Sequence, residues 1–242
     1  MVWRQEVAIR EYLKPTKLCD CDSPFVKEIT SRVVAGASDP REAARTVFRF
    51  VRDAIPFDAT LDIWQKASQT LRREVVDYCN KVNAQVALLR AAAIPARYRM
   101  ARVHKEVLKP FLPRFLYTHL PSPVGHMWCE CYLEGGWVSC EALFDRPLYQ
   151  GMLGQGLIAE KQIPTIDWDG DADLVLLEPW IVRDVGHYAT FDELVALAQE
   201  EGMPPKLLCQ LFDWLPSFFS RRRTDSIRRR RNSCRPPAVT PA

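Results

Sequence analysis

The stretch VVDYCNKVNAQVALLRAAAIPARYR, residues 75–99, decides the reading of this chain. From Cys79 onward Val82, Val86, Leu89 and Ala93 recur at i, i+4, i+7 and i+11, the single apolar stripe of a helix that packs on a core. Pro95 stops that helix, because a proline disfavours helical backbone in the residue before it. Beyond it, ARYRMARV (96–103) alternates at the period of a strand. A cysteine therefore opens a buried helix that hands directly to a β-strand. Cys79 has three readings: a small buried hydrophobe, half of a disulfide, or a nucleophile.

Working outward, HMWCECYL (126–133) and WVSCEALF (137–144) have strand texture and are joined by Glu134-Gly135-Gly136, a tight hairpin. On the N-terminal side, Ser23-Pro24 with Phe25, Val26, Ile29 and Val33 predicts a helix over 24–36. Ser38-Asp39-Pro40 starts a second, with Ala43, Val47, Phe50, Val51 and Ala54 as its buried face and an end before Pro56. A short helix is expected around 65–73. Downstream, Thr190 caps a helix that Gly202 stops, and PPKLLCQLFDWLPSFFS makes a last amphipathic helix broken near Pro216. Helices first and an antiparallel sheet after them is the α+β arrangement. The expected organisation is a domain over 1–190, a helical extension over 191–220 and a disordered basic tail over 221–242.

With 242 residues, 48% hydrophobic and 26% charged, the chain is long enough for one sizeable core. No apolar run approaches the roughly 20 residues that span a bilayer. Arg4, Glu6, Arg10 and Glu11 interrupt the start where a secretory signal needs an apolar run, so a cytoplasmic location is expected. In that reducing compartment the eight cysteines (19, 21, 79, 129, 131, 140, 209 and 234) read as free thiols. The net charge of +3 conceals an asymmetry. Residues 221–242 hold eight arginines against one aspartate, a local +7, which leaves the rest of the chain at −4.

A thiol is mostly protonated at neutral pH, and a nucleophilic cysteine needs a helix N-terminus and an imidazole to become a thiolate. Cys79 has the first by position. Of the four histidines, His126 opens a strand directly after Gly125, whereas His104 and His119 lie in a polar, proline-containing connection. An acid must hold the ring in one tautomer, and Glu141 on the hairpin-paired strand is placed to do so.

DYCNKVNAQVALLRAAAIPARYR followed by GHMWCECYLEGGWVSCEALFD resembles the core of the transglutaminase-like superfamily, cysteine acyl-transfer enzymes of papain-like fold. The shared elements are a cysteine at a helix start, an LLRAA-IPAR helix end and strand, an H-x-W-x-E-x-Y-L strand and a G-W-V strand ending in an acid. The resemblance spans about residues 40–145. It implies a papain-like, transglutaminase-like core, with Cys79 as nucleophile, His126 as base and acid, and Glu141 as orienting acid. Where the family has glycine two residues before the cysteine this chain has Asp77, whose carboxylate either raises the thiol pKa or faces solvent. The family's acid is usually aspartate, so Asp145 is the alternative to the longer Glu141. The resemblance also implies a second oxyanion donor upstream of the cysteine, for which Gln65 and Trp64 are the candidates, beside the N–H of Cys79 itself.

The expected reaction is hydrolysis or transamidation of an amide or peptide bond, on a peptide, protein or small acyl substrate. Thioester acyl transfer, including ring-closing condensation, is the alternative within enzymes, and a catalytically silent binding domain the alternative outside them. No cofactor or metal is expected. Alternation puts Cys129 and Cys131 on the strand face opposite His126, so with Cys140 they read as core residues rather than zinc ligands. DWDGDADLVLLE (167–178) spaces its acids like a calcium loop but has its glycine at position 4 instead of 6, and Leu174–Leu177 reads as strand or buried turn. LKPFLPRFLYTHLPSP (108–123) is expected to form a lid or the wall of an acyl pocket. The arginine-rich tail is a candidate contact for nucleic acid or an anionic membrane, set against the plainer reading of a solubilising tail.

Overall fold

A computed structural model of the chain describes residues 9–58, 65–73, 76–200 and 214–230. Four α-helices come first: α1 (Pro24–Val33), α2 (Pro40–Ala54), the single-turn α3 (Ala67–Thr70) and α4 (Tyr78–Ala91). Strand β1 (Ala96–Val103) follows, then α5 (Arg114–His119), β2 (Val124–Leu133), β3 (Gly136–Ser139), α6 (Arg146–Gly154), β4 (Ile181–Tyr188), α7 (Phe191–Glu200) and α8 (Trp214–Arg230). The strands form one antiparallel sheet in the order β3-β2-β1-β4. The α+β arrangement expected from the sequence is the one observed.

Local chemistry sets the element ends. Asp39 accepts the Glu42 N–H at 2.8 Å and caps α2, with Pro40 at its first position. The β2–β3 turn takes positive φ at Glu134 (49°) and Gly135 (91°), the left-handed pair that a two-residue hairpin requires. At the end of α4 Ala93 adopts φ 60°, where glycine is the usual residue. The buried face of α2 is Ala44, Val47, Phe48 and Val51, one position round from the stripe expected, with Ala43 and Phe50 only partly covered. β3 stops at Ser139, short of the expected 144, and Cys140 makes only an isolated bridge to Leu174.

Helix α4 is the axis of the fold. Its sequence shows one apolar stripe, yet every residue from Cys79 to Arg90 is buried. Burying amides and charges costs several kcal/mol unless they find partners, and apart from Gln85 Oε1, which is buried without one, the groups named next do. Asn83 Nδ2 donates to the Leu18 carbonyl at 3.0 Å, and its Oδ1 accepts from the Tyr98 hydroxyl at 2.8 Å. Gln85 Nε2 donates to the Cys140 carbonyl, Lys81 Nζ to that of Arg52, and Arg90 to Lys14, Ala96 and Ala189. The helix is pinned on all sides.

Two apolar clusters result. The larger joins α1, α2, α4 and the inner sheet face, and includes Phe48, Leu88, Tyr98, Cys129 and Cys131. The smaller gathers Phe57, Phe111, Phe144, Leu148, Met152, Leu177 and Ile227. Phe191 and Leu194 of α7 belong to the larger, with Phe191 stacked on Tyr98 at 5.8 Å, so packing crosses the expected boundary at 190.

The arginine-rich segment departs from the sequence expectation. Residues 221–230 continue α8 instead of forming a disordered tail, and Pro216 lies in the first turn, where its missing N–H costs nothing. Ser220, Thr224 and Ile227 at i, i+4 and i+7 are buried, and Gly151 of α6 lets the backbones approach where a Cβ would collide with the Ile227 carbonyl. Arg228 seals the contact by pairing with Asp145 at 2.7 Å and donating to the Phe57 carbonyl at 2.7 Å. Residues 204–213 and 231–242 of the expected helix and tail lie outside the described residues. None of the described helices is long and apolar enough to cross a membrane.

Candidate active site

The site lies where the two clusters meet, and Tyr78 packs against both. Its base half comes from β2 and the segment after β3. His126 Nε2 and Glu141 Oε1 are 2.8 Å apart, with the two side chains 5% and 1% exposed. The other oxygen of Glu141 accepts the N–H of Leu176 at 2.5 Å and that of Leu177 at 3.4 Å. The carboxylate is thus fixed by backbone before it touches the imidazole. With Nε2 engaged, Nδ1 is the ring nitrogen left for proton transfer. The ring lies between two aromatic neighbours, Tyr78 at 5.5 Å and Trp128 at 6.1 Å, and Trp128 is held by its Nε1–H bond to Ser139 Oγ at 3.1 Å.

The nucleophile half comes from the first turn of α4. Asp77 is the N-cap, and its Oδ1 accepts the backbone N–H of Cys79 at 2.7 Å. Of the two expectations for Asp77, solvent exposure is overturned, since it is 1% exposed. Burial pushes the Cys79 thiol well up, the Asp77 carboxylate adds to that, and the Tyr78 hydroxyl beside it works in the opposite direction. The same cap occupies the Cys79 amide, the oxyanion donor expected from the sequence. Among the described residues no hydrogen bond or ion pair joins Cys79 to His126. Tyr78 touches both, its ring 5.5 Å from that of His126 and its hydroxyl beside the Cys79 thiol, while that hydroxyl donates to the Gly125 carbonyl at 3.0 Å.

The remaining candidates divide. Gln65 sits beside α4, its N–H donating to Asn80 Oδ1 at 3.1 Å and its carbonyl accepting from Asn83 at 3.3 Å, while Trp64 lies outside the described residues. Asp145 is not brought to His126. It caps α6 through the Leu148 N–H and pairs with Arg228, so the structure joins Glu141 alone to the imidazole. The Cys129, Cys131 and Cys140 thiols are buried in the larger cluster, with Cys140 Sγ 3.9 Å from Cys131 Sγ. Asp167 pairs with Arg52 and Arg146, Asp171 with Arg41, and Asp173 accepts the Ser139 N–H, so these acids serve protein partners. Phe111 is 1% exposed and lines a cavity of about 30 Å³ with Phe144, Leu177 and Trp180. That volume admits about one water, which makes Phe111 a core residue rather than the wall of an open acyl pocket.

Sequence reasoning missed two contributors. The peptide N–H groups of Leu176 and Leu177 carry no side-chain signal, although the expected buried turn at 174–177 is where they lie. Tyr78 carries no signal of its own, because an aromatic residue in the first turn of a helix reads as ordinary packing.

A cysteine opening a helix that packs on an antiparallel sheet, whose neighbouring strand carries an acid-clamped histidine, is the framework of papain-like cysteine enzymes. Residues 27–142, which include Cys79, His126 and Glu141, match the family model of the Transglutaminase-like superfamily, and this part of the chain has a transglutaminase-like core. Among solved structures, a chain from Cytophaga hutchinsonii, described as that of a proposed cysteine protease, is similar with a TM-score of 0.46 and 19% identity. The match covers 59% of the present chain and 44% of that one, less than half its length. No curated protein matches the chain.

Proposed function

We propose that the protein is a cysteine-dependent acyl-transfer enzyme in which Cys79 is the nucleophile, His126 the base and acid, and Glu141 the orienting acid. The family match over 27–142 supports a cysteine-dependent enzyme, and the observation that carries the residue assignment is the buried His126–Glu141 pair with both carboxylate oxygens committed. Transfer of the thiol proton needs Cys79 Sγ within hydrogen-bond reach of His126 Nδ1. The thiol proton passes to that nitrogen, sulfur bonds to the acyl carbon, and the imidazolium returns the proton to the leaving group as its bond to carbon breaks. Water or an amine then attacks the thioester, His126 takes its proton, and the thiol leaves reprotonated. Hydrolysis or transamidation of an amide or peptide bond is the reaction favoured, and a carbon nucleophile at the second step gives condensation or cyclisation instead.

A second reading has its own support. The capped Cys79 amide and the raised thiol pKa suit a catalytically silent domain that binds a partner. Iodoacetamide labelling of Cys79 across a pH series, read by peptide mass spectrometry, separates the two. The enzyme reading expects a labelling limb below neutral pH that His126→Ala removes. Labelling that rises only at alkaline pH and ignores that substitution supports the silent domain.

A further inference from the structure

Among the described residues only four large hydrophobic side chains are well exposed, and two of them share one cluster. Phe115 of α5 is 51% exposed and Phe218 of α8 49%, and each packs edge-on against Phe219, with ring centroids at 5.6 Å and 5.5 Å. Next to them a groove of about 510 Å³ is lined by Lys109, Leu112, Arg114, Tyr117, Thr118 and Arg223, three cations with no carboxylate in the lining. Glu106 reaches the Tyr117 hydroxyl from the side, and Arg222 lies 4.9 Å over the Phe218 ring. The face is rigidly mounted. Ser220 bonds to Asp58, Arg228 holds the Phe57 carbonyl, and Lys105 Nζ ties α5 through the Leu120 carbonyl at 2.8 Å.

We propose that the face shared by α5 and α8 docks on an anionic phospholipid bilayer, with Phe115 and Phe218 entering the interfacial layer and the groove cations taking headgroup phosphates. Stable peripheral attachment needs two signals, an apolar insertion and an electrostatic one, and this face carries both side by side. Stacking of nucleic-acid bases is the less fitting use of the same residues. It requires open ring faces, whereas these rings meet edge to face and the Phe218 face is covered by Arg222.

The test is sedimentation of the full chain with phosphatidylcholine vesicles, made with and without phosphatidylserine. Binding is expected only with the anionic lipid and weakens as salt is raised. Arg114→Glu and Arg223→Glu each reduce it by about fivefold or more, the worth of one cation at such a surface. Phe115→Ser with Phe218→Ser reduces it at least about tenfold through lost apolar burial. All four side chains are at the surface, so unchanged thermal midpoints confirm that the variants fold, and each arginine variant alone suffices for the test. No sedimentation with anionic vesicles, equal binding to phosphatidylcholine, or binding that survives all four substitutions overturns the proposal. So does tighter binding of a single-stranded oligonucleotide that the same substitutions abolish.

Discussion

The two halves of the site are finished to different degrees. On the His126 side, the turn at Leu174–Leu177 holds one oxygen of Glu141 and His126 the other, and the imidazole has two aromatic neighbours. On the nucleophile side the thiol is buried, faces the Asp77 carboxylate and has its own amide capped. One half has its polar groups paired, and in the other burial and a carboxylate keep the thiol pKa raised.

Replacing Glu141 with glutamine breaks the finished half and has the largest expected effect. An amide satisfies the Leu176 N–H or His126 Nε2, but the unequal ends of the group cannot hold both as the carboxylate does. Acyl transfer from an activated ester is expected to fall by about 10³–10⁴-fold with the fold retained. An unchanged rate removes Glu141 from the chemistry.

The next test lies on α4, two residues beyond Cys79. Burial pushes the Lys81 ammonium down to about 7, while Asp145 and Asp53 oppose that and Arg228 and Arg52 reinforce it. The folded-state pKa lies below the ordinary value of 10.5, so between the two the unfolded chain binds more protons and stability rises with pH. Below about 7 this contribution is flat. Lys81→Met is expected to remove that slope and to raise stability at neutral pH by about 1–3 kcal/mol, read from denaturant melts at a series of pH values. A slope that persists in the variant assigns it to another group.

Asp77→Asn sharpens the contrast without moving the backbone, since asparagine caps a helix as well as aspartate does. Removing the charge takes away one cause of the raised thiol pKa and is expected to speed Cys79 alkylation at neutral pH. If the rate stays put, burial alone holds the thiol neutral. The smallest effect is at the other end of the same helix. Ala93→Gly relieves the left-handed backbone and is expected to add about 0.5–1 kcal/mol, and a fall in the thermal midpoint would show that the alanine carries packing the glycine loses.

Much of the fold was legible because local signals agreed with the tertiary result. Ser38-Asp39-Pro40 marked a helix start, Pro95 a helix stop, and Glu134-Gly135 a hairpin, each through backbone chemistry that acts within a few residues. Strand β4 was not legible. IVRDVGHY lies at the sheet edge against β1, is broken by bulges, and keeps half-covered or exposed side chains throughout, so no alternation survives to be read. The helix through Arg230 was hidden for a related reason. Its buried positions are Ser220, Thr224 and Ile227, two of them polar, and only the close approach at Gly151 makes them a packing face.

For the site, the residue types and their spacing along the chain singled out His126 and left Glu141 and Asp145 as alternative acids, and the structure joins Glu141 to the imidazole from the segment after β3, because Asp145 caps α6 and pairs with Arg228. What the chain order left open was the state of the thiol. Asp77 two residues before Cys79 is compatible with a solvated charge or a buried cap, and the choice depends on what surrounds the first turn of α4. Only the packing of Tyr78 and the two clusters around that turn excluded water from it, and exclusion of water is what turns an ordinary cap into a carboxylate that holds its neighbouring thiol neutral.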